Sequence, residues 1–91
     1  MCHNLRMDDA PLFLPITSSA ELRTLVRERR RDLRITQAEL ATHIGRSLRW
    51  LQRFEDDADD TQPGLDSVLH LLTALGIRLR VEALPIEALH E

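Results

Sequence analysis

The stretch from Thr36 to Gly45, TQAELATHIG, constrains this chain more than any other. It opens on a capping box, S/T-x-x-E, in which Thr36 and Glu39 each satisfy a free backbone N–H at a helix start. It closes on Gly45, and only glycine takes the left-handed conformation that ends a helix without strain. The spacing predicts a short helix from Gln37 to about Ile44, with Leu40, Ala41 and Ile44 inward. Ala41 lies four residues before the glycine, where two helices must cross closely and a bulky side chain would push them apart. Ser47 then caps a further helix in which Leu51 and Phe54 lie three apart and face inward, with Trp50 beside them.

The flanks extend the pattern. Ser18-Ser19-Ala20-Glu21 is another capping box, and it starts a helix running to about residue 33. Leu22, Leu25, Val26 and Leu33 share one face of it, and its arginines mostly point elsewhere. Leu65, Val68, Leu69, Leu72 and Leu75 recur at helical spacing before Gly76. Between these two regions, EDDADDTQPG at residues 55–64 holds a proline and a glycine and reads as a loop. Ile77 to Ala83, IRLRVEA, alternates apolar and charged residues with period two, the signature of a half-buried strand that Pro85 ends. Residues 1–17 hold Pro11 and Pro15 and no helical period, and read as a loose arm. The organisation is therefore an arm at 1–17, a helical domain at 18–76, a strand at 77–84 and a tail at 85–91.

Length and charge narrow the class. Ninety-one residues make one small domain. All twelve cations are arginine, which can fork onto phosphate or guanine. The formal net charge is −3, but its placement is uneven. Residues 18–54 hold nine arginines against Glu21, Glu28, Asp32 and Glu39, whereas residues 55–91 hold two arginines against nine acids. A basic half followed by an acidic half suits a protein that binds a polyanion on one side. Cys2 is the only cysteine, so no internal disulfide is possible and a reducing cytoplasm is expected. The apolar run from Ala10 to Ile16 is short, carries two prolines and lacks a cationic flank, so it reads as neither signal peptide nor membrane span.

Two short capped helices joined by a tight turn are a helix-turn-helix signal. Residues 20–76, with ITQAELA followed by RFE, resemble the Xre/lambda-repressor-like helix-turn-helix family. The ending FED…LLTALGIRLRVE resembles the HipB-type antitoxins, in which each subunit lends one strand to a two-stranded sheet across a dimer. The resemblance implies a mainly α fold of four to five helices with one C-terminal strand in an intersubunit sheet. It implies a homodimeric, sequence-specific DNA-binding repressor that regulates its own operon and holds a HipA-like serine/threonine kinase toxin inactive. Such a protein works in the bacterial cytoplasm, at the nucleoid. A stand-alone Xre-type regulator without a toxin is one alternative. A protein-interaction module that does not bind DNA is another.

In this geometry the helix after the turn lies in the major groove, with its first residues at the base edges. Ser47, Leu48, Arg49 and Gln52 project from that end. Arg49 is the candidate for a forked contact to guanine, Gln52 for adenine and Leu48 for a thymine methyl. Arg46 and Arg53 are candidates for the phosphate backbone. Arg46 stands where the family usually has an apolar residue, and could instead snorkel with its stem packed. Thr36 and Gln37 start the preceding helix; Gln37 resembles the family's phosphate-clamping glutamine, and the helix N-terminus favours the same anion. For Arg49 and Arg53 the plainer reading is a solvated helix face. For Trp50 the plainer reading is side packing, with stacking on a sugar edge as the alternative. RERRR at residues 27–31 reads as an exposed face.

IRLRVEA needs a partner for its backbone, and no other segment reads as a strand. Twofold pairing of this strand between two copies satisfies both, with Ile77, Leu79, Val81 and Ala83 on the covered face. A twofold dimer implies a pseudo-palindromic duplex site with half-sites roughly 34 Å apart. No metal or other cofactor is expected. EDDADD lacks the glycine and the final acid of a calcium loop, and Met1-Cys2-His3 would lose its metal-gripping spacing with Met1. No serine, cysteine or histidine sits in a nucleophile motif and no glycine-rich phosphate loop exists, so an enzyme is not expected.

Overall fold

The computed structural model describes residues 13–56 and 62–89. Four α-helices follow one another: α1 (Ser19–Asp32), α2 (Gln37–Ile44), α3 (Leu48–Glu55) and α4 (Leu65–Ala74), with a single 3-10 turn at Ile86–Leu89. The expected caps set the starts. Thr36 Oγ1 accepts from the Glu39 N–H at 3.0 Å, and Glu39 Oε1 accepts from the Thr36 N–H at 2.8 Å, completing the capping box. Ser47 caps α3 by accepting from the Trp50 N–H at 3.0 Å. At α1 the box is displaced by one residue. Ser18 accepts from the Glu21 N–H, but the Glu21 carboxylate takes the Thr17 N–H at 2.7 Å and the Thr17 hydroxyl at 3.0 Å. The Thr17 N–H, and then its hydroxyl, hold the Glu21 carboxyl below the usual carboxylate range. A depressed carboxyl stabilises the fold above its unfolded value and stops doing so as pH falls through the folded one. The start of α1 is therefore acid-sensitive.

Three helices end on the same device. In a Schellman turn, the left-handed residue and the one after it donate back to carbonyls of the last turn. Gly45 (φ 71°) ends α2 with Arg46 N–H donating to Ala41 O, and Gly76 (φ 72°) ends α4 with Ile77 N–H donating to Leu72 O. After α1 the same position is held by Arg34, at φ 60°, with Arg34 N–H on Arg31 O and Ile35 N–H on Arg30 O. A side chain in the left-handed region costs about 1–2 kcal/mol, of which glycine's extra unfolded-state entropy would return roughly half. Arg34→Gly is thus expected to stabilise the domain by about 0.5–1 kcal/mol in urea unfolding. A loss of stability would mean that the Arg34 side chain contributes more than its backbone costs.

The core is Val26, Leu40, Ala41, Ile44, Leu51, Phe54, Val68, Leu71, Leu72 and Leu75, where α3 packs on α1 and α2, and α4 packs on α2. Leucine fills most of it, as a chain with so few aromatics requires. Three expected inward positions differ. Leu65 is 68% exposed, and Leu71, not Leu69, lies on the buried stripe of α4, which reads Val68, Leu71, Leu72, Leu75. Leu33 falls beyond the last turn of α1 and is also exposed.

The arginines of α1 depart further from expectation. Arg23 and Arg30 are buried, and RERRR is not a simple exposed face. Arg27 Nη1 donates to Glu55 O at 2.8 Å, and Arg23 Nη1 to Asp56 O at 3.1 Å, so both satisfy carbonyls at the end of α3. Arg29 Nε donates to Leu75 O at 2.9 Å, at the negative end of α4.

Residues 77–85 run without a ladder in the single chain, and no strand forms among the described residues. Ile77 packs against the core, but Leu79, Val81 and Leu84 are exposed. Of the arm, residues 13–17 are described and carry no helix, and the Arg80 guanidinium lies 4.9 Å from the Phe13 ring centroid. Met1-Cys2-His3 and most of the EDDADD run lie outside the described residues. None of the helices described is long and apolar enough to cross a membrane.

Candidate nucleic-acid interface

Burial on α3 decides which side chains face out. Leu51, Phe54 and Glu55 are buried, so Arg49, Gln52 and Arg53 face away from the core, with Leu48 exposed at the N-terminal end of the buried stripe. All four are exposed, Leu48 by 42%. Ser47 and Arg46 continue that surface at the turn, and Thr36 and the half-buried Gln37 stand at the start of α2. Among the described residues Arg49 makes no hydrogen bond or ion pair. The five donors of its exposed side chain thus face solvent.

Aromatic packing steadies this face. The Trp50 and Phe54 rings, one helical turn apart, stack with centroids 5.8 Å apart and planes 13° from parallel. Arg46 sits over the Trp50 ring at 5.1 Å, and Arg23 sits over Phe54 at 5.9 Å. Each of the two stacked rings thus has a guanidinium over it. Trp50 is half-buried and packs against the core, the plainer of its two sequence readings. Arg46 also donates through Nη2 to the Ser67 hydroxyl, which ties the turn to α4. In the free chain it is exposed with its guanidinium over a ring, a placement that decides neither of its two sequence readings.

Beneath the face lies a charged network. Glu55, only 5% exposed, ends α3. Its carboxylate accepts Arg30 Nε at 2.8 Å, Arg30 Nη2 at 2.9 Å and Gln37 Nε2 at 2.9 Å. The remaining arm of Arg30, Nη1, donates to Ile35 O at 3.0 Å. One guanidinium thereby joins α1, the turn into α2 and α3. Hydrogen bonds to Glu55, before its charge, raise the Arg30 pKa above the usual guanidinium value. A raised cationic pKa stabilises the fold at every pH below the unfolded value and fails only above it, so the contribution holds throughout the neutral range.

Sequence reasoning opened the 55–64 loop on Glu55, put Arg30 on an exposed face and gave Ser67 no role; Glu55 instead closes α3, held there by Arg30. The only signal was RFE, in which Glu55 follows the buried Phe54. Among the described residues no group of three or more histidine, cysteine, aspartate or glutamate side chains is placed to hold a metal ion.

No protein-family model and no curated protein matches the chain. Solved structures do. A chain of a HipA–HipB–O2–O3 complex is 27% identical with a TM-score of 0.67, the match covering 78% of this chain and 97% of that one. A HipB variant in complex with an O2 20mer is 28% identical at the same TM-score, covering 79% of this chain and 97% of that one. HipB in complex with an O4 20mer gives 27%, 0.67, 78% and 97%. The match spans nearly the whole length of each of those chains, and its identity lies above what fold alone would carry.

Proposed function

Because the chain is HipB-like in fold and in sequence, we propose that it is the DNA-binding antitoxin of a HipBA-like module. In this reading it acts by binding and not by catalysis. It represses its own operon from a pseudo-palindromic duplex and holds a HipA-like serine/threonine kinase inactive in the bacterial cytoplasm. The observation that carries the reading is the outward face of α3: Arg49, Gln52 and Arg53 exposed, with Leu48 at its N-terminal end, over a helix whose other side is sealed by Leu51, Phe54 and Glu55. Support comes from the neighbours, which are complexes of HipB with O2 and O4 20mers and with HipA; we read the 20mers as operator duplexes.

The mechanism follows from geometry. With α3 in the major groove, Arg49 forks onto guanine, Gln52 pairs with adenine and Leu48 meets a thymine methyl. Arg53 and Ser47 hold the backbone beside them, and Arg46 reaches a phosphate from its place over Trp50. Thr36 and Gln37 present the positive end of α2 to another phosphate. Ile77, Leu79, Val81 and Ala83 form the covered face of a two-stranded ribbon between subunits, which sets two α3 helices about one duplex turn apart, roughly 34 Å.

Selection of bound duplexes from a random library, followed by anisotropy against salt, tests this. About six phosphate contacts give a log–log slope of about −5. Arg49→Ala is expected to cost about 1–3 kcal/mol on the selected site and to relax preference at one position per half-site. A uniform fall on every sequence would make Arg49 a phosphate contact. Absence of duplex binding at low salt would leave the interaction-module reading. Co-purification from the native host tests the kinase partner, and a stand-alone regulator would bring down DNA alone.

A further inference from the structure

Gln37 stands at the first position of α2, the end that favours an anion, yet its amide is not free to turn. Its Nε2 donates to Glu55 Oε1 at 2.9 Å. Glu55 is itself immobilised. Arg30 grips both carboxylate oxygens side-on through Nε and Nη2, the Glu55 side chain is only 3% exposed, and Arg30 is anchored in turn on Ile35 O. A carboxylate paired with a guanidinium can only accept, so it dictates which end of the Gln37 amide faces inward. The NH2 group must turn toward Glu55. One of its two protons is consumed there, and the second is left for another acceptor at the half-exposed start of the helix.

We propose that Glu55 is a positioning residue for nucleic-acid binding: it holds the Gln37 amide at the mouth of α2 so that the second Nε2 proton is preset for a backbone phosphate. The proposal rests on the DNA-binding reading above. Glu55 never touches the duplex. It acts by removing the cost of ordering a long, rotamer-rich side chain when the phosphate arrives. The Arg30–Glu55 pair thus links the core to the binding face, because the same oxygen that closes the ion pair also aims the amide.

The test uses the full chain and a short mixed-sequence duplex at low ionic strength, since a phosphate contact does not depend on sequence. In amide NMR of the free protein, one Gln37 side-chain proton should sit downfield, bonded to the carboxylate. On adding duplex, the other should move with the backbone amides of α3. Affinity should fall about three- to tenfold for Gln37→Ala and for Glu55→Gln, and no further when the two are combined. The salt slope should stay unchanged for both, because no cation is lost. Should Glu55→Gln not fold, the NMR arm on the unaltered protein decides alone. An equal further loss from Glu55→Gln in the Gln37→Ala background overturns the proposal. So do Gln37 protons that stay still while α3 responds. If the downfield proton is present but neither α3 nor affinity responds to duplex, the DNA-binding reading itself has failed, and the proposal falls with it.

Discussion

Arg30→Met is expected to destabilise the domain by about 3–5 kcal/mol, the usual cost of stranding one member of a buried ion pair. The substitution keeps the bulk of the side chain but removes both donors that grip the Glu55 carboxylate, leaving Gln37 Nε2 beside it. It also removes the donor on the Ile35 carbonyl, next to the left-handed turn at Arg34. Folded domains of this size are held by about 5–15 kcal/mol, so the loss would shift the urea midpoint severely. Arg30→Met combined with Glu55→Met should recover most of it, since replacing both partners of a buried pair with packed apolar groups is often neutral. The cycle separates two accounts. If the single change costs under about 1 kcal/mol, water reaches the carboxylate and the pair behaves as a surface bridge. If the double change is as poor as the single one, Arg30 stabilises by packing its stem and not through Glu55.

The same pair shows what the sequence could and could not disclose. Helix starts and stops were legible because they are local chemistry: Thr36 with Glu39, Ser47, Gly45 and Gly76 act within one turn of where they stand. The α2–α3 core was legible because apolar spacing repeats at the helical period. Arg30 was not, since a pattern that assigns charge to solvent cannot find a guanidinium satisfied by a carboxylate 25 residues away. The stripe of α4 was misplaced for a related reason. Five leucines and a valine fit more than one helical face, and only the direction of α2 selects Leu71 over Leu69. The exposure of Arg49, Gln52 and Arg53 on α3 was legible because they are the complement of a clear inward set, whereas what they contact is a proposal. Arg46 had two readings in sequence; its ring contact is local to α3, but its bond to Ser67 depends on where α4 lies. The strand has a different status: its alternation is visible, but nothing pairs with it among the described residues, and the ribbon proposed above takes its partner from a second copy.

That partner is the subject of the other large expected effect. Val81→Asp should convert a dimer into monomers in sedimentation, with helix content unchanged. Ile77 packs on the core, and a period of two then puts Leu79, Val81 and Ala83 on the same side of the segment. In one chain that side is wasted. Val81 is 86% exposed and Leu79 53%. Exposed apolar side chains beside unpaired backbone groups are what an interface would cover, and in the proposed ribbon a second copy of the same segment would supply both the cover and the hydrogen bonds. Val81 lies near the middle of the segment, so in a twofold antiparallel ribbon an aspartate there would face apolar neighbours and, close by, its own symmetry mate. Like charges so placed oppose pairing. Duplex affinity should fall by about 10²–10⁴ even though no contact residue has changed, because each subunit must then bind its half-site without the other. The residual half-site binding should keep the Arg49 base preference. Unchanged dimers would show that the subunits meet elsewhere, and monomers that still bind a full site at the original affinity would show that the ribbon does not set the spacing.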